Sequence, residues 1–361
     1  MKAAIISLGS KSSEMVAEAM EEFFDQVDLL NLKKMEVTLG KDACISYGGK
    51  KLENYDCVYV KGSFRYANLL RSISSLLEGK VPYLPLSASS FTIAHNKLLT
   101  HLVLQQHNIP MPKTYISSSV KEAKEVLKKT NYPVVMKFPE GTQGKGVMFA
   151  DSLSSASSML DALGALNQPF IIQEYMETNG TDIRALVVGE KVVAAMKRTA
   201  SKEEKRSNIH AGGTGEPITL ERDAINLALD TAKALGADIC GVDILQGPLG
   251  PVVIEANISP GLQGVSKIST INIPRKIAQL LSNKTKEALD NMNGNESKKV
   301  ISELTTEQKN EANQEIITNL KLRGESIVLP PIITKITHFN DRKEYSIKAV
   351  KGRLEIEEFK I

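Results

Sequence analysis

Short apolar runs bounded by Gly, Pro and polar residues recur along the chain. Between them lie stretches whose apolar positions fall three and four apart. The first pattern predicts strands and the second helices. Lys2–Leu8 reads as a strand, and Ser12–Phe24 as a helix with Met15, Ala19 and Phe23 along one face. Val27–Leu32 and Cys57–Lys61 follow as strands, and Phe64–Leu77 as a helix. This alternation over residues 1–93 predicts a small α/β unit with a parallel sheet. Gly9 ends the first strand without the full dinucleotide fingerprint, so no cofactor is expected there.

Residues 94–170 change character. A helix is predicted over His95–His107, a strand over Lys113–Ile116 and a helix over Ser119–Lys129, with Ser119 as its N-cap. Strands follow at Pro133–Phe138 and Val147–Ala150, joined by a glycine-rich loop, Gly141–Gly146. Gly141, Gly144 and Gly146 allow backbone amides to turn toward a phosphate, although a mobile hairpin tip fits the same composition. The loop is not a P-loop, because Gly146 stands where Ser or Thr is needed and a strand follows it. Lys137 sits inside the apolar strand VVMKF, where a lysine is costly unless it meets a negative group.

Residues 171–289 open on a strand spanning Phe170–Tyr175. A hairpin is predicted from Asp182–Val188 and Lys191–Lys197 around Gly189-Glu190, with Asp182 and Arg184 on one face. Residues 197–217 are basic, polar and glycine-rich and include Arg198, Arg206 and Asn208. Such a loop suits phosphates or carboxylates, or equally a solvated surface. A helix over Leu220–Leu235, stopped by Gly236, leads to ICGVDILQGPLGPVVIEANISPGLQG, residues 239–264.

That stretch reads as strands Ile239–Leu245 and Pro251–Asn257 joined by the turn Gln246–Gly250. The pairing such a turn implies sets Asp243 opposite Val253 and diagonal to Glu255 on the same face. With Asn257 this makes a hard-oxygen set suited to a divalent cation such as magnesium. The same spacing also describes a solvated polar hairpin face. A helix over Ile271–Leu289 closes the segment. Residues 290–361 are expected to hold an Asn-rich linker at Asp290–Glu296 and a helix at Leu304–Leu322. Strands are expected at Ser326–Leu329, Ile332–Phe339, Glu344–Val350 and Arg353–Phe359.

Composition removes several classes of function. With 45 basic and 42 acidic residues the net charge is +3, too small to argue for direct nucleic-acid binding. Cys44, Cys57 and Cys240 lack metal-ligand spacing and read as reduced thiols, which fits the cytoplasm. No run approaches the length of a membrane span.

Six segments then fall in one order: PVVMKFPEGTQGKGV, QEYM, GTDIRALVVG, RSNIHAGG, GVDI and EANISPGL. Together they resemble the ATP-grasp superfamily, and within it the RimK-like α-L-glutamate ligases. The likeness is strong over about residues 90–288 and holds in layout only over 1–90. It implies an α/β and α+β ATP-grasp fold. Residues 1–93 would form a Rossmann-like pre-ATP-grasp domain and 94–170 the central subdomain. Residues 171–289 would form the C-terminal subdomain and 290–361 an α+β appendage of unknown role.

The likeness also implies site residues. Lys97 and Lys137 would meet ATP phosphates under the Gly141, Gly144 and Gly146 loop, and Glu174 and Tyr175 would border adenine. Asp182 would contact the nucleotide, and Arg206, Ser207 and Asn208 would lie near the triphosphate. Asp243, Glu255 and Asn257 would hold Mg2+, with Mn2+ as the alternative, and Arg198 and Arg206 would act catalytically. The implied reaction is ATP-dependent ligation of an amino acid, glutamate first, to an acceptor carboxylate on a cofactor, small molecule or protein tail. A homo-oligomer is implied as well.

Ala211 stands where RimK-type ligases commonly carry Arg. That weakens the case for a ribosomal protein tail as acceptor. A ligase for another amino acid, as in lysine biosynthesis on a carrier protein, and an ATP-binding regulator without turnover are the competing readings.

Overall fold

The computed structural model describes residues 1–117, 119–139, 146–200, 214–304, 321–323, 326–329, 333, 337, 345–350 and 353–358. Residues 1–298 form one compact unit and 299–361 another.

The first unit opens with β1 (Lys2–Ser7), α1 (Lys11–Met20) and β2 (Gln26–Asn31). The small strands β3 (Met35–Thr38), β4 (Cys44–Tyr47) and β5 (Lys50–Lys51) come before β6 (Cys57–Val60). β1 lies between β2 and β6, parallel to both, as the alternating pattern predicted. The separate antiparallel sheet β3-β4-β5 was not foreseen.

A single 3-10 turn, Phe64–Tyr66, precedes α2 (Ala67–Leu77). The helix expected over His95–His107 is two helices, α3 (Ala88–Ala94) and α4 (Lys97–Gln106). Asn96 divides them: its side chain accepts the backbone N–H groups of Leu98 and Leu99, which makes it an N-cap and Lys97 the first residue of α4.

The middle of the unit holds β7 (Thr114–Tyr115), α5 (Val120–Leu127), β8 (Val134–Lys137), β9 (Val147–Ala150), α6 (Leu153–Ala165) and β10 (Ile171–Glu174). Their sheet runs β7-β10-β8-β9. Ala123, Leu127, Val134, Met136, Ala150, Leu160 and Ile172 make a core of their own beneath it.

The last layer holds β11 (Thr181–Val188), β12 (Lys191–Thr199), β13 (Thr214–Pro217), α7 (Arg222–Ala234), β14 (Ile239–Gly247), β15 (Gly250–Asn257), α8 (Gln263–Ile268) and α9 (Ile273–Leu304). Its antiparallel sheet runs β13-β12-β11-β14-β15. Apolar residues of this sheet, of α7 and of the N-terminal sheet share one core, which fixes the N-terminal layer against the C-terminal one. Two cross-layer bonds add to this: the Gly62 N–H donates to Ser259 Oγ at 3.1 Å, and the Leu262 N–H to Ser12 Oγ at 2.9 Å.

The expected linker Asp290–Glu296 is helical and belongs to α9. Asn costs a helix only a fraction of a kcal/mol per residue, so the helix entering from Ile273 runs on through it. In the second unit, β16 (Lys321–Arg323) pairs with β17 (Ser326–Val328), and β18 (Tyr345–Val350) with β19 (Arg353–Glu358). Within the expected strand Ile332–Phe339, Ile333 and Thr337 are helical, and the Thr337 hydroxyl donates to the Ile333 carbonyl at 2.8 Å. Most of the helix expected over Leu304–Leu322 lies outside the described residues.

Candidate active site

The centre of the site is one face of the C-terminal sheet. Cross-strand register sets Asp182 opposite Arg198, Arg184 opposite Asp243, and Asp243 opposite Glu255. Directly opposed residues share a face, as do residues two apart on one strand. All five therefore stand on the same face, with Asn257 opposite Gly241 at its edge.

This corrects the register read from the sequence. The turn is two residues, Pro248-Leu249, with Gly250 at φ +115° where side chains are strained. A bulge falls between Asp243 and Ile244, so that Ile244 faces Val253 while Asp243 faces Glu255. The carboxylates oppose each other directly instead of diagonally.

Two guanidinium groups bind this row. Arg184 donates Nε–H to Asp243 Oδ1 and Nη2–H to Oδ2, both at 2.7 Å. Arg198 donates Nε–H to Asp182 Oδ1 at 2.6 Å and Nη2–H to Oδ2 at 2.5 Å, and its Nη2 also lies 2.9 Å from Asp243 Oδ2. Asp182, Arg198 and Asp243 are all buried. Burial alone would raise the Asp243 carboxyl, but Arg184 and Arg198 outweigh it and hold Asp243 below the usual aspartate range.

Arg184 was visible in the sequence only as a face-mate of Asp182. Its place beside Asp243 follows from β11 lying between β12 and β14.

The donor set suits a hard divalent cation. One lone-pair position remains on Asp243 Oδ1 beside the Arg184 bond, and Glu255 makes no ion pair among the described residues. Asn257 Oδ1 accepts the Ser259 N–H at 2.9 Å, which orients the amide and leaves a second lone pair. Among the described residues no three His, Cys, Asp or Glu side chains converge on one point. A cation here would therefore take Asn257 and phosphate oxygens as well.

Lys137, at the end of β8, looks onto this row. It lies within electrostatic reach of Glu255, Lys97 and Asp243, and loss of solvation pushes its ammonium down to about 8. Its Nζ donates to Gln173 Oε1 at 2.6 Å. Gln173 Nε2 lies 3.0 Å from both His101 Nε2 and Thr114 Oγ1. His101 Nδ1 faces the Lys97 carbonyl and must donate to it, which leaves Nε2 as the acceptor for the Gln173 amide. Burial lowers the His101 pKa and keeps the ring neutral, consistent with that tautomer. The chain His101–Gln173–Lys137 thus fixes the aim of the ammonium. Neither His101 nor Gln173 was singled out in the sequence: Gln173 opens the QEYM segment without a role there, and no local signal marks His101.

Other expected residues are placed around this centre. The Lys97 N–H donates to the Pro139 carbonyl at 2.8 Å, tying the start of α4 to the end of β8. Gly146 has φ +79°, and a Cβ there would lie 2.3 Å from the Phe138 ring, so no side chain fits. Glu174 accepts the Tyr115 hydroxyl at 2.9 Å, and Tyr175 meets the Phe149 ring edge-on at 6.0 Å between centroids. Gly141, Gly144, Arg206, Ser207 and Asn208 lie outside the described residues.

Solved structures share this architecture. The RimK domain ATP-grasp protein of Sphaerobacter thermophilus superposes with a TM-score of 0.61 at 17% identity, covering 78% of this chain and 99% of that one. The ATP-grasp ligase PsnB, solved with a precursor variant, Mg and ADP, gives 0.63 at 15% identity, covering 79% and 98%. The protein thus has the ATP-grasp fold.

The RimK-like ATP-grasp domain profile matches residues 94–281. A "Probable alpha-L-glutamate ligase" of Shewanella loihica is 34% identical over 79% of this chain and 97% of its own length. One of Methanococcoides burtonii is 35% identical over 78% and 95%. The chain belongs to the RimK-like ATP-grasp family, and it is an ATP-dependent ligase.

Proposed function

We propose that the enzyme joins the amine of an amino acid, L-glutamate first, to an acceptor carboxylate, with ATP becoming ADP and phosphate. The observation that carries this is the single row of Asp182, Arg198, Arg184, Asp243 and Glu255 facing Lys137. The chain's likeness to probable α-L-glutamate ligases supports glutamate as the amine.

In this reading Lys137 and Lys97 hold the phosphates, beneath the loop containing Gly141, Gly144 and Gly146. Arg206, Ser207 and Asn208 border the triphosphate, and Glu174 and Tyr175 border the adenine. Asp182, expected at the nucleotide, gives both oxygens to Arg198 and so orients that guanidinium toward the transferring group. Arg184 holds Asp243 in place. Asp243, Glu255 and Asn257 would hold Mg2+ or Mn2+, which would offset phosphate charge when bound.

An acceptor carboxylate oxygen forms a bond to the γ-phosphorus as the bond to ADP breaks, giving an acyl phosphate. The amine nitrogen then attacks the acyl carbon, phosphate leaves, and the nitrogen loses a proton to become an amide. Arg198 and Lys137 are fixed before the reaction, so they stabilise charge in the transition state without reorganising.

Three free cysteines fit a reducing cytoplasm, and among the described residues no helix is long and apolar enough to cross a membrane.

An ADP-release screen with ATP, magnesium, glutamate and a panel of carboxylate acceptors tests the proposal, with products identified by mass. Release is expected to require both the amine and an acceptor, and the product to gain the mass of added amino acid. Nucleotide binding with no ADP formed from any amine would instead make this a nucleotide-binding regulator.

A further inference from the structure

The two lysines assigned to the nucleotide are tied into one closed ring of hydrogen bonds and short chain segments. Lys97 begins α4, and its N–H donates to the Pro139 carbonyl just past β8. Its own carbonyl accepts the His101 Nδ1–H one helical turn on. His101 Nε2 meets Gln173 Nε2 from β10, and Gln173 Oε1 accepts Lys137 Nζ, two residues before Pro139. His101 and Gln173 are buried, at 5% and 2% exposure, so bulk water does not replace a partner lost here.

The ring has a direction. Lys137 is a donor only, so the amide must turn its oxygen toward it and its nitrogen to the other end. That end holds two acceptors. The Thr114 hydroxyl donates to the Pro112 carbonyl at 2.9 Å and accepts from Gln173 at 3.0 Å. His101 accepts only while Nε2 carries no proton. A proton on Nε2 makes both ring nitrogens donors and sets a donor against a donor. Reversing the amide gives Nε2–H the oxygen, but then presents NH2 to the Lys137 ammonium. One amide oxygen cannot serve both cations, because they lie at opposite ends of the amide.

We propose that His101 is a positioning residue for the nucleotide lysines, and that a proton on its Nε2 reverses the Gln173 amide and leaves Lys137 without its acceptor. The proposal rests on the reading that Lys137 meets the phosphates, and it adds an acid-sensitive control of that lysine. The charged groups facing His101 are both cations, Lys97 on its own helix and Lys137 on β8. β10 presents the neutral Gln173, and behind it β7 the neutral Thr114. α3, α7 and β15 also pack on α4, and none of their described residues brings a charge to bear on the ring. Burial lowers the His101 pKa, outweighing the bond to the Lys97 carbonyl, and the two lysines lower it further. The change therefore falls on the acid side of the ordinary value of about 6.5.

Calorimetric titration with Mg·ADP between about pH 7.5 and pH 5 tests this on the full chain as wild type, His101→Gln and Lys137→Met. His101→Gln keeps an acceptor that takes no proton but gives up the bond to the Lys97 carbonyl. It should bind about 3-fold more weakly than wild type at the upper pH. Protonation of the nucleotide itself affects both proteins alike. The ratio of wild-type to His101→Gln affinity should fall about tenfold toward the lower pH, the size of one hydrogen bond misplaced in a buried site. A His101 that merely added positive charge near the phosphates would move the ratio the other way. Nitrogen-15 spectra of the assigned His101 ring in wild type should show the neutral form protonated on Nδ1, with a second proton arriving on Nε2 in acid.

A ratio that stays constant or rises in acid, or a neutral ring protonated on Nε2, overturns the relay. If Lys137→Met still loses affinity, the phosphate role of Lys137 then stands without it. Unchanged affinity in Lys137→Met removes that role and the relay with it.

Discussion

Asp243→Ala is expected to lose both turnover and stability, while Glu255→Gln loses turnover alone. The difference lies in what each carboxylate touches. Asp243 is buried and accepts from Arg184 and Arg198. Removing it leaves Arg198 with Asp182 alone and Arg184 with no carboxylate in this row. Breaking one partner out of a buried ion pair costs about 3–5 kcal/mol. For a chain of this size each kcal/mol is worth roughly 2–4 °C, so a fall in melting temperature of about 10 °C is expected.

Glu255 has no ion pair among the described residues, and its replacement by an isosteric amide should leave the melting temperature within about 2 °C of wild type. Both variants should drop ATP-dependent ADP release by about a thousandfold. Melting followed by circular dichroism and a coupled ADP assay measure the two effects. A wild-type melting curve for Asp243→Ala would refute the buried arginine pairing, and near-normal ADP release in Glu255→Gln would refute its role as a metal ligand.

Acid should act through the same residue. The Asp243 pKa is depressed in the folded state, so its stabilising contribution is complete above the ordinary aspartate value of about 3.9. It is lost as pH falls below that value toward the folded one. Asp243→Asn should therefore flatten the acid limb of the stability curve.

The second large effect concerns Lys137. Lys137→Met should weaken Mg·ADP and Mg·ATP-analogue binding about 30- to 100-fold, as expected for a charged hydrogen bond in a secluded site. Folding at pH 7 should change little, because relief of the desolvated ammonium offsets the donor lost by Gln173.

The pH dependence follows from the value of about 8. In the nucleotide-free protein Lys137 sheds its proton as pH rises through 8, so nucleotide affinity in wild type should fall above that pH. The Lys137→Met profile should be flat there. Stability moves the other way. Between pH 8 and 10.5 the unfolded chain still holds the proton that the folded one has released, so wild-type stability should rise across that window. Calorimetric titration at pH 7 and 9 checks the binding prediction. Equal affinities at both pH values would mean that this ammonium does not meet the phosphates.

The chemistry of the site was legible because its residues sit in short segments of strong local character. Lys137 stands out inside VVMKF, and Asp243, Glu255 and Asn257 alternate with apolar residues along β14 and β15. Alternation is a local property, and it assigned these residues to strands and to a common face. It could not assign register. A turn shorter than expected and one bulge beside Asp243 each shifted the pairing by one residue and together brought Glu255 directly opposite, and a bulge leaves no reliable mark in hydropathy. Likewise Asn96 broke one expected helix into two through a side-chain cap, a bond that periodicity does not register.

What the sequence determined by itself was the set of strands, the hard-oxygen and cationic residues they carry, and the order of the motifs that place the chain in its family. The tertiary structure alone decided which of these meet. Arg184 finds Asp243 across 59 positions, and Gln173 reaches His101 across 72. Gly62, next to the buried Lys61, is bound by Ser259 of the loop after Asn257 across 197 positions. Such partners depend on which strands become neighbours and which faces close on each other. Burial shared across the whole chain settles that, and no window of local sequence contains it.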